Sequence, residues 1–99
     1  MIYDVRLTYS QCAAITPNDG TDIPLLPNFD NEGSGYEGKT PTSPNAILIG
    51  LGGAGNIAGQ INGVVAPIIP VVAGQVVEIR FTRILATGTT ATNIFGLWL

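Results

Sequence analysis

Ninety-nine residues make one domain with a modest core, and only 11% of them are charged against 45% hydrophobic. The net charge of −3 with four basic residues leaves no Lys/Arg cluster for a nucleic-acid backbone, and the absence of His deprives a Ser or Cys nucleophile of its usual base. A single Cys rules out an intrachain disulfide, no apolar run reaches the ~20 residues of a membrane helix, and the start lacks a signal-peptide pattern, so the expectation is a soluble chain made in the cytoplasm.

Residues 2–9 alternate Ile2, Asp4, Arg6 and Thr8 against Tyr3, Val5, Leu7 and Tyr9. This is the two-residue period of a strand, and its charges suit a sheet edge. Cys12 to Ile15 reads as a short continuation, with Cys12 a small buried hydrophobe beside Ala13-Ala14. Residues 16–24 are rich in turn formers: Pro17, Asn18, Asp19 and Gly20. Residues 25–45 show no periodicity, which is unusual inside a compact domain. Such a loop is functional, an arm over a neighbour, or disordered. Phe29 and Tyr36 are its aromatic anchors, and the expectation is a loop mobile in the free chain and packed on a neighbouring subunit through those two residues.

Ala46-Ile47-Leu48-Ile49-Gly50-Leu51 reads as a buried strand, and residues 52–56 as a turn. Ile57 to Ile61 is a strand interrupted by Gly59, and Asn62-Gly63 is a strong two-residue hairpin signal. Residues 64–72 are apolar and β-branched, but Pro67 and Pro70 cannot donate to a ladder, which predicts an edge or irregular strand. Its Ile68, Ile69 and Val71 need cover, and a second subunit is the expected source. Residues 74–86 alternate most cleanly, with Val77, Ile79 and Phe81 on one face and Glu78, Arg80 and Thr82 on the other. The phase breaks at Arg83, as a bulge near Thr82-Arg83 or burial of both faces would cause. Arg83 is either a solvated strand-end charge or half of an interface ion pair. Residues 87–93 then turn the chain into the apolar run 94–99, and the two runs read as a central hairpin. Trp98 is either core or a subunit contact.

No segment sustains a helical period. The predicted fold is all-β: a small antiparallel β-sandwich or barrel of six or seven short strands, one domain over residues 1–99 with the loop 25–45 inserted.

Gly50-Leu51-Gly52-Gly53-Ala54-Gly55 matches GxGxxG after an apolar strand. A dinucleotide site also needs a helix next and an acidic residue about twenty positions on. Gly59, Asn62, Gly63 and Pro67 deny the helix, so the run reads as a glycine-rich loop and no cofactor is expected. Asp19, Asp22, Asp30, Glu32 and Glu37 match no calcium-loop spacing, so no metal site is expected. Asn18, Asp19 and Asp22 suit side-chain-to-backbone turn bonds instead. Nothing sets a pair of carboxylates on a rigid scaffold, and the chain reads as a non-enzyme.

Three stretches carry a resemblance. They are Ala14-Ile15-Thr16-Pro17-Asn18-Asp19-Gly20-Thr21-Asp22-Ile23-Pro24, then Ala46-Ile47-Leu48-Ile49-Gly50 with its glycine turn, and the segment 72–94, which ends in Ala86-Thr87-Gly88-Thr89-Thr90-Ala91-Thr92-Asn93-Ile94. Together they resemble the head-spike base family of gene transfer agents and tailed phages. Somewhat over half the chain is covered, most strongly at the C-terminal end. The resemblance implies a small virion structural protein, made in the host cytoplasm and placed on the outer capsid surface. It implies self-association, with a pentamer at vertices, docking on the major capsid protein and attachment of a spike or fibre protein. It implies no nucleic-acid or membrane partner. This chain differs in its insert between Pro24 and Ala46, its leading strand and its bulkier end. Those differences also fit a capsid decoration protein or a tail or baseplate module. A carbohydrate-binding β-sandwich is the alternative from another class; it needs an exposed aromatic platform, which Tyr3, Tyr9 and Tyr36 do not obviously make.

Overall fold

The structure is a computed structural model that describes Tyr9, residues 11–27 and residues 41–99. Of the expected strand over residues 2–9 only Tyr9 is described, outside any strand, and the anchors Phe29 and Tyr36 lie outside the described residues.

The described residues form eleven short strands and no helix. They are β1 (Gln11–Ile15), β2 (Leu26–Pro27), β3 (Pro41–Thr42), β4 (Ala46–Ile49), β5 (Gly55–Ile57), β6 (Gly59–Ile61), β7 (Val64–Val65), β8 (Ile69–Val71), β9 (Val76–Val77), β10 (Arg83–Ile84) and β11 (Ile94–Trp98). The all-β class holds, with all strand pairs antiparallel. The strands are shorter and more numerous than the six or seven expected, because glycines and prolines break the runs.

β11 is the central element. It pairs with β1 along one edge, Cys12 opposite Leu97, and with β4 along the other, Ile94 opposite Ile49. β9 completes the sheet in the order β1-β11-β4-β9. A strand flanked on both edges and packed on both faces must be apolar throughout. Ile94-Phe95-Gly96-Leu97-Trp98 meets that demand, and only Phe95 is partly exposed. The core over this sheet includes Ile47, Ile49, Phe81, Ile84, Ile94 and Trp98.

The expected central hairpin is corrected. Residues 74–86 do not pair with 94–99. Only Val76–Val77 join the sheet, on β4, and Arg83–Ile84 cross to a second sheet of order β10-β6-β7. The alternation survives as burial: Val77 and Phe81 are buried, Ile79 half-buried, Glu78 and Arg80 exposed. Between the two pairings the Phe81 N–H donates to the Ile79 carbonyl at 3.1 Å, a tight local turn. The chain bends at Thr82, and Phe81 and Ile84 are then both buried three positions apart. The phase break at Arg83 is therefore the point where the chain changes sheets.

Asn62-Gly63 is the expected turn: φ is 50° and 82°, both positive, joining β6 to β7 with Ile61 opposite Val64. β5 and β8 form a separate two-stranded ribbon, with Pro70 opposite Asn56. Pro70 thus lies on a strand paired on one side only, as its missing donor requires. The long loop is pinched at its base by β2 and β3, Leu26 opposite Thr42, a pairing too short to leave a period in the sequence. Tyr9 stands beside Glu78; burial raises its hydroxyl pKa, and the Glu78 charge and hydrogen bond add to this.

Candidate functional site

Two of the three stretches that carry the resemblance, residues 14–24 and 72–94, meet in one polar brace. The turn after β1 is closed locally by Asn18, whose Oδ1 accepts from the Gly20 N–H at 2.8 Å. Its other bonds reach across the chain. The Asn18 N–H donates to the Ile84 carbonyl at 2.8 Å, and the Ile23 N–H to the Thr82 carbonyl at 2.9 Å. Arg83 Nε donates to Asp22 Oδ1 at 2.8 Å while its Nη1 reaches the Asp19 carbonyl at 3.0 Å. Asp19 accepts twice from Thr87, from the N–H at 2.9 Å and the hydroxyl at 2.6 Å. Asp19 and Asp22 were expected to bond within their own turn. They bond instead to a segment more than sixty residues on.

The hydrogen bonds from Thr87, side chain first and backbone second, hold the Asp19 carboxyl below the usual carboxylate pKa. A depressed folded-state pKa lends stability that is present above the unfolded value and is lost as pH falls through the folded one. Asp19 is fully exposed, so the effect is small. Thermal melts from roughly pH 5 down to roughly pH 2 should show a shallower acid-side loss for Asp19→Asn than for the wild type. Parallel curves would show that the Thr87 bonds contribute nothing.

The threonine-rich segment clamps the glycine turn. Thr90 Oγ1 accepts from the Asn56 N–H at 2.9 Å, and Thr89 Oγ1 from the Ala58 N–H at 2.9 Å. Asn93 Nδ2 donates to the Leu51 carbonyl at 2.8 Å. The glycines of the GxGxxG run permit this approach. A Cβ on Gly53 would overlap the Thr92 carbonyl, and one on Gly55 would stand 2.6 Å from the Ala91 nitrogen. The run therefore serves packing of backbone on backbone. No helix follows it, so the phosphate-binding geometry is missing.

Among the described residues no three His, Cys, Asp or Glu side chains gather at one point. An open groove of about 270 Å³ runs beside the brace, with Ile15, Ile23 and Ile84 below and Asn18, Thr21 and Asp22 at the rim. Its one carboxylate already holds Arg83, so the groove offers no acid–base pair.

The expected interface residues separate. Ile68 is 58% exposed. Ile69 is half-buried against the core, so it is only partly available. Val71, at 4% exposure, is core, because β8 turns it inward over β5. Trp98 is also core at 1%, and its Nε1 donates to the Thr42 carbonyl at 2.8 Å. The C-terminal run is flanked by β1 and β4 and is mostly buried, with Phe95 and Leu99 partly exposed. Arg83 is paired within its own chain to Asp22 and is not a free interface cation. Cys12 corrects the other way: it is exposed, on the outer face of β1.

What sequence reasoning missed is the surface carried by residues 41–77. That stretch contains no Asp, Glu, Lys or Arg. Among the described residues, all but one of the exposed large hydrophobics lie in it: Leu51, Ile61, Val64, Val65, Ile68, Val72 and Val76. The charge gap was legible. The apolar edge over residues 64–72 was expected to need cover; what was not legible is that Leu51, Ile61 and Val76 also face outward, since β-branched runs ordinarily signal core. These exposed, uncharged positions, spread over several strands and turns, are the candidate interaction residues.

No family model, curated protein or solved structure matches the chain.

Proposed function

We propose that this chain is a phage virion structural protein, a capsid-associated spike base or decoration protein that self-assembles and docks on the major capsid protein. Its action is geometric: a rigid β domain holds an apolar face toward its partners and carries a spike or fibre protein. One observation supports this reading above the others. Two of the stretches that resemble the head-spike base family are far apart in sequence, and their Asp19, Asp22, Arg83 and Thr87 interlock as a single brace. The uncharged exposed face agrees with an assembly role, because desolvating apolar side chains favours association while desolvating unpaired charge opposes it.

A carbohydrate-binding role finds no support among the described residues. Phe81 and Trp98 are buried, and Tyr9 and Phe95 are only partly exposed, so none of them forms a platform.

Cryo-electron microscopy of purified particles, with antibody labelling against this chain, tests the proposal. The expected result is an added β domain on the outer capsid, at vertices or across faces. Label confined to the tail would convert the reading to a tail or baseplate module. Particles free of the chain would end it.

A further inference from the structure

We propose that two copies of this chain pair edge to edge through β7, antiparallel about a two-fold axis at Val65, to form one continuous sheet of order β10-β6-β7-β7-β6-β10. The inference rests on the self-association in the preceding section and takes it as two-fold pairing, in place of the pentamer that the resemblance implies.

The hydrogen-bond phase of the hairpin carries the argument. Ile61 and Val64 flank a two-residue turn, and in that hairpin type they bond to each other. The next bonded partners are Ala66 and Gly59, with the Ala66 N–H 2.9 Å from the Gly59 carbonyl. Gln60 and Val65 form the non-bonded pair between them. The Gln60 carbonyl accordingly turns to the other side and accepts from the Thr82 N–H at 2.9 Å. Among the described residues Val65 has no strand on its other side. Its N–H and C=O point outward and have no partner among the described residues.

The sheet can grow only there. Its opposite edge, β10, is covered by the turn after β1, where Asn18 and Ile23 bond to the Ile84 and Thr82 carbonyls. At β7 the side chains that would be buried are ready: Val64 is 70% exposed, Val65 66% and Ile68 58%. Natural edges are commonly guarded by Lys or by inward-pointing charge. This one has neither, since residues 41–77 carry no charge.

The occupant follows from charge and symmetry. Copies of net charge −3 repel, and they meet at least cost through a face that contributes none of that charge. An antiparallel edge is complementary to itself: the Val65 N–H of each copy meets the Val65 carbonyl of the other. Pro67, two residues on, has no N–H to offer at the next outward position. It stops the ladder from lengthening, and the two-fold contact closes the assembly at two copies.

The test uses the full chain. Sedimentation over rising concentration should show the wild type reaching a dimer and Val65→Lys remaining a monomer, with equal circular dichroism, and with equal melting below the concentration at which the wild type dimerises. Val65→Ile should keep the dimer. Amide exchange supplies a check that needs no variant: the Val65 amide should slow by about tenfold or more as the dimer fills. A wild type that stays monomeric overturns the pairing, as does a Val65→Lys chain that dimerises like wild type. So does a dimer in which the Val65 amide stays unprotected. Particle labelling separates this from the virion reading. A dimer absent from particles removes that reading and leaves the edge contact, whereas a monomer bound to particles does the reverse.

Discussion

Replacing Trp98 by Ala is expected to destabilise the domain by about 3–5 kcal/mol, the range for emptying a buried aromatic site. Trp98 ends the central strand at 1% exposure, and its ring lies so close over Gly96 that a Cβ there would stand 2.8 Å from it. Three consequences follow from the one deletion. A large cavity opens between the four-stranded sheet and β3, the Thr42 carbonyl loses the indole donor, and the anchor at the base of the long loop is cut. A domain of this size has only ~5–15 kcal/mol in total, so the variant will sit near its folding limit. Trp98→Phe keeps most of the ring and should cost about 1–2 kcal/mol, from the lost hydrogen bond and the smaller volume. Urea unfolding followed by far-ultraviolet circular dichroism measures both. A loss below about 1 kcal/mol for the Ala variant would mean that Trp98 is not part of a packed core.

Gly53→Ala should cost about 3 kcal/mol, the upper part of the range for overpacking. The obstruction is backbone, the Thr92 carbonyl, which cannot swing aside as a side-chain tip can. The two strands of chain are also tied there: the Gly53 carbonyl accepts from the Thr92 N–H at 3.1 Å, and the Gly53 N–H donates to the Gly50 carbonyl at 3.0 Å. Added bulk must break that register or bend the path of residues 90–92 that holds Asn56. Gly20→Ala provides the scale, since its nearest neighbour is the Asn18 side chain at 3.6 Å. It should change stability by less than about 0.5 kcal/mol. Equal melting temperatures for the two variants would show that the threonine segment does not rest on the glycine turn.

Some of this fold was legible in residue order because it depends on nearest neighbours. The period of two between residues 76 and 82, the Asn62-Gly63 turn and the exclusion of helix all express local backbone preference. So did the phase break at Arg83: two buried positions three apart cannot lie on one face of a flat strand. The brace was half visible. Asp19 and Asp22 stood out as an acidic turn and Arg83 as a charge in an apolar face, but nothing in either segment specifies a partner so many residues away. Pairing at that separation depends on how the intervening sheets fold back, which no local preference encodes.

The chain by itself determined its class. Sparse charge, many β-branched residues, and Gly and Pro at short intervals permit an all-β domain and no other. They also determined that the GxGxxG run cannot start a helix. Only the tertiary structure decided which apolar runs are core. Residues 94–99 and 64–65 are both apolar and β-prone, yet one is the most enclosed strand and the other the most open edge. The difference is neighbours: among the described residues β11 has β1 and β4 on its two sides, whereas β7 has β6 alone. Burial is a property of what packs against a segment, and a strand's own side chains do not say how many of its edges will be taken.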